Sequence, residues 1–146
     1  MRLTVPGSLH YRDVAVRTVG SVCKMLLGVA PDVDHEVVSA FSEAFNNVVI
    51  HAYKGRTVRE VEIEIELDVG TITIHLRDFG SSFDPSSVPT PDLDTMPEGG
   101  LGLYIIRSFM DEVRYCAGAP NVLTMTKHLT ARDAHASTAS ESEPIR

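Results

Sequence analysis

Two stretches of alternating residues, joined by a short turn sequence, constrain the fold of this chain more than any other feature. Over residues 58–67 apolar side chains alternate with glutamates, so one face of the segment is apolar and the other is charged. Asp68-Val69-Gly70 supplies a turn, and residues 71–76 alternate again. The pattern predicts an antiparallel hairpin with one buried face, to which the first strand contributes Val61, Ile63, Ile65 and Leu67.

Helical and strand periodicities on both sides of the hairpin predict the rest of the fold. A first helix carries Val14, Val19, Val22, Cys23 and Leu26 and ends at Gly28. A second starts at the capping residue Asp32 and reaches about Tyr53, ending near Gly55. A third covers residues 103–110, and short strands are expected at 3–5, 113–116 and 122–129. These elements predict an α/β (α+β) two-layer sandwich, in which three helices cover a mostly antiparallel sheet.

Composition narrows the possible functions. The chain has 146 residues and a formal net charge of −7, and so lacks the basic excess that nonspecific nucleic-acid binding needs. No apolar run approaches the roughly 20 residues that cross a bilayer, and the N-terminus shows no secretory pattern. We therefore expect a cytoplasmic protein with neither a membrane nor a nucleic acid as partner. Residues 1–130 are predicted to form one domain, and the small, polar residues 131–146 a disordered tail.

Three polar side chains follow one line along the second predicted helix. Glu43, Asn47 and His51 are separated by four residues each, on the face opposite the apolar positions. Asn47 offers a neutral oxygen suited to Mg²⁺, which takes few protein ligands. Glu43, one turn away, can accept the proton of an attacking hydroxyl. We expect the ligand to lie along this line.

Two glycine-containing turns extend the candidate site. Asp78 ends the hairpin, where its carboxylate can accept a hydrogen bond from an exocyclic amine, and Gly80 permits close approach of the backbone. Gly99-Gly100-Leu101-Gly102-Leu103 opens the third helix with N–H groups that can face phosphate. This glycine loop fits neither a Walker A loop nor a dinucleotide-binding fingerprint. Residues 81–98, between the two turns, are predicted to form a mobile loop.

The three segments, in this order, resemble the motifs of the GHKL ATPase superfamily, and within it the RsbW/SpoIIAB-like anti-sigma factor serine kinases of bacterial partner switching. Glu43, Asn47 and His51 are similar to the N box, Asp78-x-Gly80 to the G1 box, and residues 99–103 to the G2 box. The resemblance implies a Bergerat (GHKL) ATP-binding fold with ATP and Mg²⁺ as cofactors. Residues 84–98 would then be the lid that closes over the phosphates.

The resemblance also implies residue roles. Glu43 would be the catalytic base and Asn47 the Mg²⁺ ligand. Two positions depart from the family pattern, since Ser82 replaces a glycine of the G1 box and Pro120-Asn121 replaces Gly-Thr in the last strand. Asn121 is expected to take over the hydrogen bonding of that threonine near adenine. The expected nucleotide-binding residues are Asn47, His51, Asp78, Gly80, Gly99, Gly100, Leu101, Gly102, Leu103 and Asn121.

The partners implied by the resemblance are proteins. A serine of a STAS-domain anti-sigma factor antagonist would be the phosphorylation substrate, and a sigma factor or equivalent regulator the alternate partner. The family commonly forms homodimers through the first strand and helix, and Arg17 aligns with an arginine at the partner surface. The alternative is an ATP-binding protein-interaction module of the same fold that lacks phosphotransfer, against which the intact Glu43 argues.

Overall fold

A five-stranded antiparallel sheet, covered by helices on one face, forms the framework of the molecule. The computed structural model describes residues 1–27, 31–54, 59–92, 94 and 100–129. The strand order is β1-β2-β3-β5-β4, so the last strand in sequence lies inside the sheet and β4 lies at its edge. The strands are β1 (Arg2–Pro6), β2 (Glu60–Asp68), β3 (Thr71–Asp78), β4 (Glu112–Cys116) and β5 (Asn121–His128).

Three α-helices lie in the described part of the chain, and the second changes its hydrogen-bonding pattern near its end. They are α1 (Arg12–Leu27), α2 (Pro31–Asn47) and α3 (Leu101–Phe109). A π turn, Val48–Ala52, continues α2 and closes with the Tyr53 N–H donating to the Val48 carbonyl at 3.0 Å. Helical structure thus extends nearly to Tyr53, as predicted, while Gly28, Gly55 and the predicted tail lie outside the described residues. The predicted two-layer sandwich is confirmed.

The core forms between α2 and the inner face of the sheet. Phe41 and Phe45 of α2 are fully buried, as are Ile72, Ile74 and Met125 of the sheet. Burying an aromatic or large aliphatic side chain contributes about 1.5–3 kcal/mol relative to leaving it exposed, so this contact holds α2 on the sheet. Cys23 is also buried, and burial raises the pKa of its thiol to about 12.

Two expected core positions are exposed. Val14 is 54% exposed because the buried stripe of α1 runs through Ala15, Val19 and Val22, and Val14 lies one residue away from it. Leu67 is 38% exposed, since the last three residues of β2 are uncovered while its cross-strand partner Ile72 stays buried. Hydrophobic periodicity identified the correct strand, but it predicted that the buried face of β2 extends to Leu67, which is exposed.

The outer face of the sheet carries an ion-pair network centred on Glu64. Its carboxylate accepts from Arg2 Nε at 2.7 Å and from Arg77 Nη2 at 2.8 Å. These hydrogen bonds, first from Arg2 and then from Arg77, lower the pKa of Glu64. The network ties β1 and β3 to the strand between them.

Within the described part of the chain no helix has both the length and the apolar character needed to span a membrane.

Candidate functional site

Glu43 and Asn47 converge on the first turn of α3. Both are half-buried on α2, one helical turn apart. A methyl group built on Gly102 would lie 3.0 Å from Glu43 Oε2 and 3.3 Å from Asn47 Oδ1. Only a residue without a side chain fits there without displacing them. The structure therefore brings together two segments that are distant in sequence, the polar face of α2 and the glycine loop.

The first turn of α3 supplies backbone donors at the same place that have no partner within the helix. Gly100 caps the helix in a left-handed conformation with φ of 83°, and its cap has no side-chain hydrogen bond. Leu101, Gly102 and Leu103 follow as the first three helical residues, whose N–H groups have no partner within the helix. The positive end of the helix dipole favours an anion here. Gly99 lies outside the described residues.

His51 lies in the π turn, where the four-residue step of an α-helix no longer applies. Its side chain is exposed, whereas Glu43 and Asn47 are half-buried. The contact with Gly102 involves Glu43 and Asn47. The π turn therefore interrupts the single line of polar groups expected from the sequence, and a nucleotide-binding role for His51 stays a prediction.

Gly80 packs directly on the end of this π turn. A methyl group on Gly80 would lie 2.5 Å from the Ala52 carbonyl oxygen and 2.8 Å from Ala52 Cβ. The Ser81 N–H donates to the same carbonyl at 3.0 Å. Glycine is required because two backbone segments touch. This contact fixes the turn after β3 against the helix that carries Asn47.

Tyr53 reinforces the same junction. Its hydroxyl donates to the Glu60 carbonyl at 2.6 Å and accepts from the Phe79 N–H at 3.3 Å. Burial raises the pKa of Tyr53, so the phenol stays protonated and can donate. The sequence places this tyrosine next to the predicted polar line but gives no sign of its two backbone partners.

Asp78 and Asn121 face each other on neighbouring strands β3 and β5, on the helix-covered side of the sheet. Asp78 is 5% exposed and Asn121 is fully buried. Asp78 Oδ1 accepts from the Gly80 N–H at 2.9 Å and from Asn121 Nδ2 at 3.0 Å. Among the described residues none donates to Asp78 Oδ2, which leaves this oxygen as an acceptor for a ligand.

The segment that follows Gly80 is anchored at its start. Phe83 packs on Tyr115 of β4 with ring centroids 4.4 Å apart, and its N–H donates to the Tyr115 hydroxyl at 3.3 Å. Asp84 then caps a short 3₁₀ turn, and hydrogen bonds from the Ser86 hydroxyl and N–H lower the pKa of Asp84. Residues 93 and 95–98 of the predicted mobile loop lie outside the described residues.

A groove between the three helices leads to Glu43 from the protein surface. Arg17 is exposed on α1, the helix that forms one wall of this groove. The groove is lined by Arg12, Val16, Val38, Ser39, Ser42, Glu43, Ile105 and Phe109.

Among the described residues, no group of three or more His, Cys, Asp or Glu could hold a metal ion. An Mg²⁺ site with one or two protein ligands is compatible with that finding, because Mg²⁺ keeps waters and substrate phosphates as further ligands.

Comparison with known proteins gives a consistent family. Residues 9–127 match the model of the histidine kinase-like ATPase domain. The serine-protein kinase RsbW of Bacillus subtilis (strain 168) is 31% identical over 137 residues, covering 88% of this chain and 85% of the relative. RsbW of Staphylococcus aureus (strain Newman) is 31% identical over 138 residues, covering 88% and 86% respectively.

Solved structures agree on the fold. The RsbU and RsbW domains of a Mycobacterium tuberculosis protein superpose with a TM-score of 0.65 at 16% identity, over 88% of this chain and 32% of that chain. The histidine kinase domain of an Erythrobacter litoralis blue-light activated kinase gives a TM-score of 0.54 at 16% identity, over 81% and 61%. With the family match and the sequence relatives, these findings show that the chain belongs to the histidine kinase-like ATPase domain family, in its branch of RsbW serine-protein kinases.

Proposed function

We propose that this protein is an anti-sigma factor kinase that uses Mg-ATP to phosphorylate a serine of a STAS-domain antagonist and alternately binds a sigma factor or equivalent regulator. The observation that carries the proposal is the convergence of Glu43 and Asn47 on the N-terminal turn of α3. A carboxylate, a neutral oxygen and backbone N–H groups that have no partner within the helix meet there. This combination can provide a general base, a cation ligand and phosphate-binding donors for phosphoryl transfer to a hydroxyl.

Each group has a distinct role in the proposal. The N–H groups of residues 101–103 bind phosphate oxygens at the positive end of the α3 dipole. Asn47 Oδ1 holds Mg²⁺, a hard cation that neutralises charge on the phosphates. Glu43 accepts the proton of the attacking serine hydroxyl, a role that needs it beside the phosphate-binding turn, where it lies. Asp78 Oδ2 accepts a hydrogen bond from the adenine amine.

The route for the protein substrate is the groove between α1, α2 and α3. Glu43 lines this groove and also faces Gly102, so its carboxylate can be reached from the partner side and from the nucleotide side. Arg17, which is exposed on α1, would contact the partner in this proposal. A phosphate adds about −1.5 to −2 charge to the antagonist, which weakens binding to a protein whose own net charge is −7.

The proposed homodimer would use the outer edge of β1. Strand β1 lies at the end of the sheet and pairs with β2 along one side. Its other side offers backbone N–H and C=O groups to a second copy, and Leu3 and Val5 give this strand its apolar character.

Transfer from γ-labelled ATP tests the kinase. Wild type, Glu43→Gln and Asn47→Ala would be incubated with Mg²⁺ and each STAS-domain protein encoded in the same genome. We expect serine labelling of one antagonist, lost in both variants. Asn46→Ala, adjacent on α2, and Glu60→Gln, an exposed glutamate on β2, serve as matched controls that keep activity.

Two other outcomes would contradict the proposal. ATP binding and partner capture without labelling of any antagonist would favour the binding module that lacks phosphotransfer. Absence of ATP binding to the wild type, measured by calorimetry, would eliminate the nucleotide site itself.

A further inference from the structure

Asn121 uses its entire hydrogen-bonding capacity within the protein. Its Nδ2 donates to Asp78 Oδ1 at 3.0 Å and to the Gly80 carbonyl at 3.1 Å. Its Oδ1 accepts from the Gly118 N–H at 3.0 Å and from the Ser82 hydroxyl. A side-chain amide has two donor hydrogens and two acceptor lone pairs, and all four are engaged.

The chemistry of these partners fixes the orientation of the amide. Asp78 Oδ1 and the Gly80 carbonyl can only accept, and the Gly118 N–H can only donate. The reverse orientation would place an oxygen against a carboxylate and a carbonyl, and an NH₂ group against an N–H. Because Asn121 is also fully buried, it has no group left with which to contact a nucleotide.

Its effect on a ligand must therefore pass through its partners, and of these Asp78 is the one with a carboxylate oxygen that accepts from no described residue. The carboxylate of Asp78 is held at Oδ1 by two donors, the Gly80 N–H and Asn121, while Oδ2 accepts from no described residue. Fixing one oxygen fixes the direction of the other. Asn121 thus acts together with the Gly80 N–H in orienting Oδ2 of Asp78.

Ser82 completes the arrangement from the exposed side. It is the residue that stands in place of a glycine of the G1 box, and its hydroxyl donates to Asn121, which stands in place of the threonine. The two departures from the family pattern are 39 residues apart in sequence and are bonded to each other. The Ser82 hydroxyl occupies the second lone pair of Asn121 Oδ1, the first being taken by the Gly118 N–H.

We propose that Ser82 and Asn121 act as a coupled pair that positions Asp78 to recognise the exocyclic amine of a 6-aminopurine nucleotide. This inference rests on the proposed nucleotide site and adds to it the source of base selectivity. Asn121 is a positioning residue in this arrangement and Asp78 is the residue that touches the base. Ser82 contributes through Asn121 alone.

The test compares ATP with inosine triphosphate, which carries an oxygen in place of the 6-amino group. Dissociation constants for both nucleotides are measured by calorimetry on the full chain, and their ratio reports recognition of the amine. A residue with only a structural role would weaken both nucleotides equally and leave the ratio unchanged. A positioning residue changes the ratio.

The expected results are specific for each variant. Wild type prefers ATP by at least about tenfold, the range of a hydrogen bond to a charged acceptor. Asn121→Ala lowers this preference about tenfold and Ser82→Ala about threefold. In the Asn121→Ala background, Ser82→Ala has no further effect, because its bond is already lost. Ser81→Ala, the exposed neighbouring serine, leaves the preference unchanged.

Several outcomes would overturn the inference. An unchanged ratio in Asn121→Ala, with both nucleotides weakened, would reduce Asn121 to a structural residue. Wild type that binds both nucleotides equally would remove amine recognition by Asp78 but leave the kinase proposal standing, whereas no binding of ATP at all would overturn both. If Asn121→Ala shows no cooperative unfolding, and so is not folded, the test rests on Ser82→Ala, whose substituted side chain is exposed. An unchanged ratio of the two dissociation constants in Ser82→Ala would then refute the coupled pair.

Discussion

Replacing Gly102 by alanine separates the geometry of the site from the stability of the fold. The added methyl group would lie 3.0 Å from Glu43 Oε2 and 3.3 Å from Asn47 Oδ1. Both atoms end flexible side chains, which can withdraw without moving the backbone. Alanine is favoured over glycine in a helix interior by about 0.5–1 kcal/mol, and at the second residue of α3 a part of this gain offsets the cost of that withdrawal. We expect the free energy of unfolding to change by no more than about 1 kcal/mol.

Phosphotransfer should respond much more strongly than stability. A misplacement of about 1 Å can cost roughly 100-fold in rate. Restoring ordinary contact with a new methyl group moves the Glu43 carboxylate by a few tenths of an ångström, so the single-turnover rate should fall by about four- to tenfold. The assay is transfer of labelled phosphate to the antagonist at saturating ATP, with urea unfolding measured on the same preparations.

Gly70→Ala is the matched control. Gly70 lies in the β2–β3 turn with φ of 76°, and among the described residues its added methyl group would have one neighbour within 4 Å, the Leu129 carbonyl oxygen at 3.9 Å. Alanine there costs about 1–2 kcal/mol of left-handed strain but should leave phosphotransfer unchanged. A wild-type transfer rate in Gly102→Ala would refute the placement of Glu43 and Asn47. A loss of stability beyond about 2 kcal/mol would refute the claim that these side chains can withdraw.

Three further variants test the fold around the site. Phe45→Ala empties a fully buried position under α2 and should cost about 3–5 kcal/mol in urea unfolding; a cost below about 1 kcal/mol would contradict the core described here. Gly80→Ala forces a methyl group to within 2.5 Å of the Ala52 carbonyl oxygen, so we expect about 2–4 kcal/mol of destabilisation together with weaker ATP binding, and an unchanged urea midpoint would exclude that contact. Glu64 has a lowered pKa in the folded state, so its ion pairs stabilise the protein above the ordinary value of 4.5 and are lost as pH falls below it. Urea midpoints of wild type and Glu64→Gln should therefore differ at pH 7 and converge in acid, and a difference that does not depend on pH would rule out the network.

The sequence predicted those parts of the structure that depend on local patterns. Alternation located the β2–β3 hairpin, and helical spacing located α1, α2 and α3 within a few residues. The polar residues of α2, Asp78-x-Gly80 and the glycine loop indicated one site because, in this order, they resemble the three motif boxes of the GHKL superfamily. Periodicity indicates which face of a strand is apolar, but it does not indicate how far along the strand that face is buried. Leu67 was therefore expected in the core, whereas it is exposed.

Contacts between distant segments could not be predicted from such patterns. The bond from Ser82 to Asn121 spans 39 residues, and nothing near either residue signals the other. The π turn depends on shifted hydrogen bonds such as that from the Tyr53 N–H to the Val48 carbonyl, for which residues 48–52 show no compositional sign. Glu64 was expected on the solvent side of β2 and does lie there, but its near-complete burial comes from Arg2 and Arg77 on the neighbouring strands.

Tyr53→Phe tests whether the junction between the π turn and the turn after β3 is held by hydrogen bonds or by packing alone. The variant keeps the ring, against which Gly7 fits so closely that a methyl group on Gly7 would lie 2.1 Å from Tyr53 Cε2. It removes the bonds to the Glu60 carbonyl and the Phe79 N–H, which should cost about 1–3 kcal/mol. Tyr11→Phe, an exposed tyrosine, should change stability by less than about 0.5 kcal/mol.

The pH dependence of Tyr53→Phe distinguishes the two explanations further. Because burial raises the pKa of Tyr53 in the folded state, its neutral form stabilises the protein below the ordinary value of 10.0. That stabilisation is lost as pH rises through the higher folded value, so wild type should lose stability above about pH 10 more steeply than Tyr53→Phe. If both proteins followed the same curve and unfolded at the same urea concentration at pH 7, packing alone would hold the junction. Asp78 and Gly80 would then be positioned by the contact with Ala52 and by Asn121, without a contribution from Tyr53.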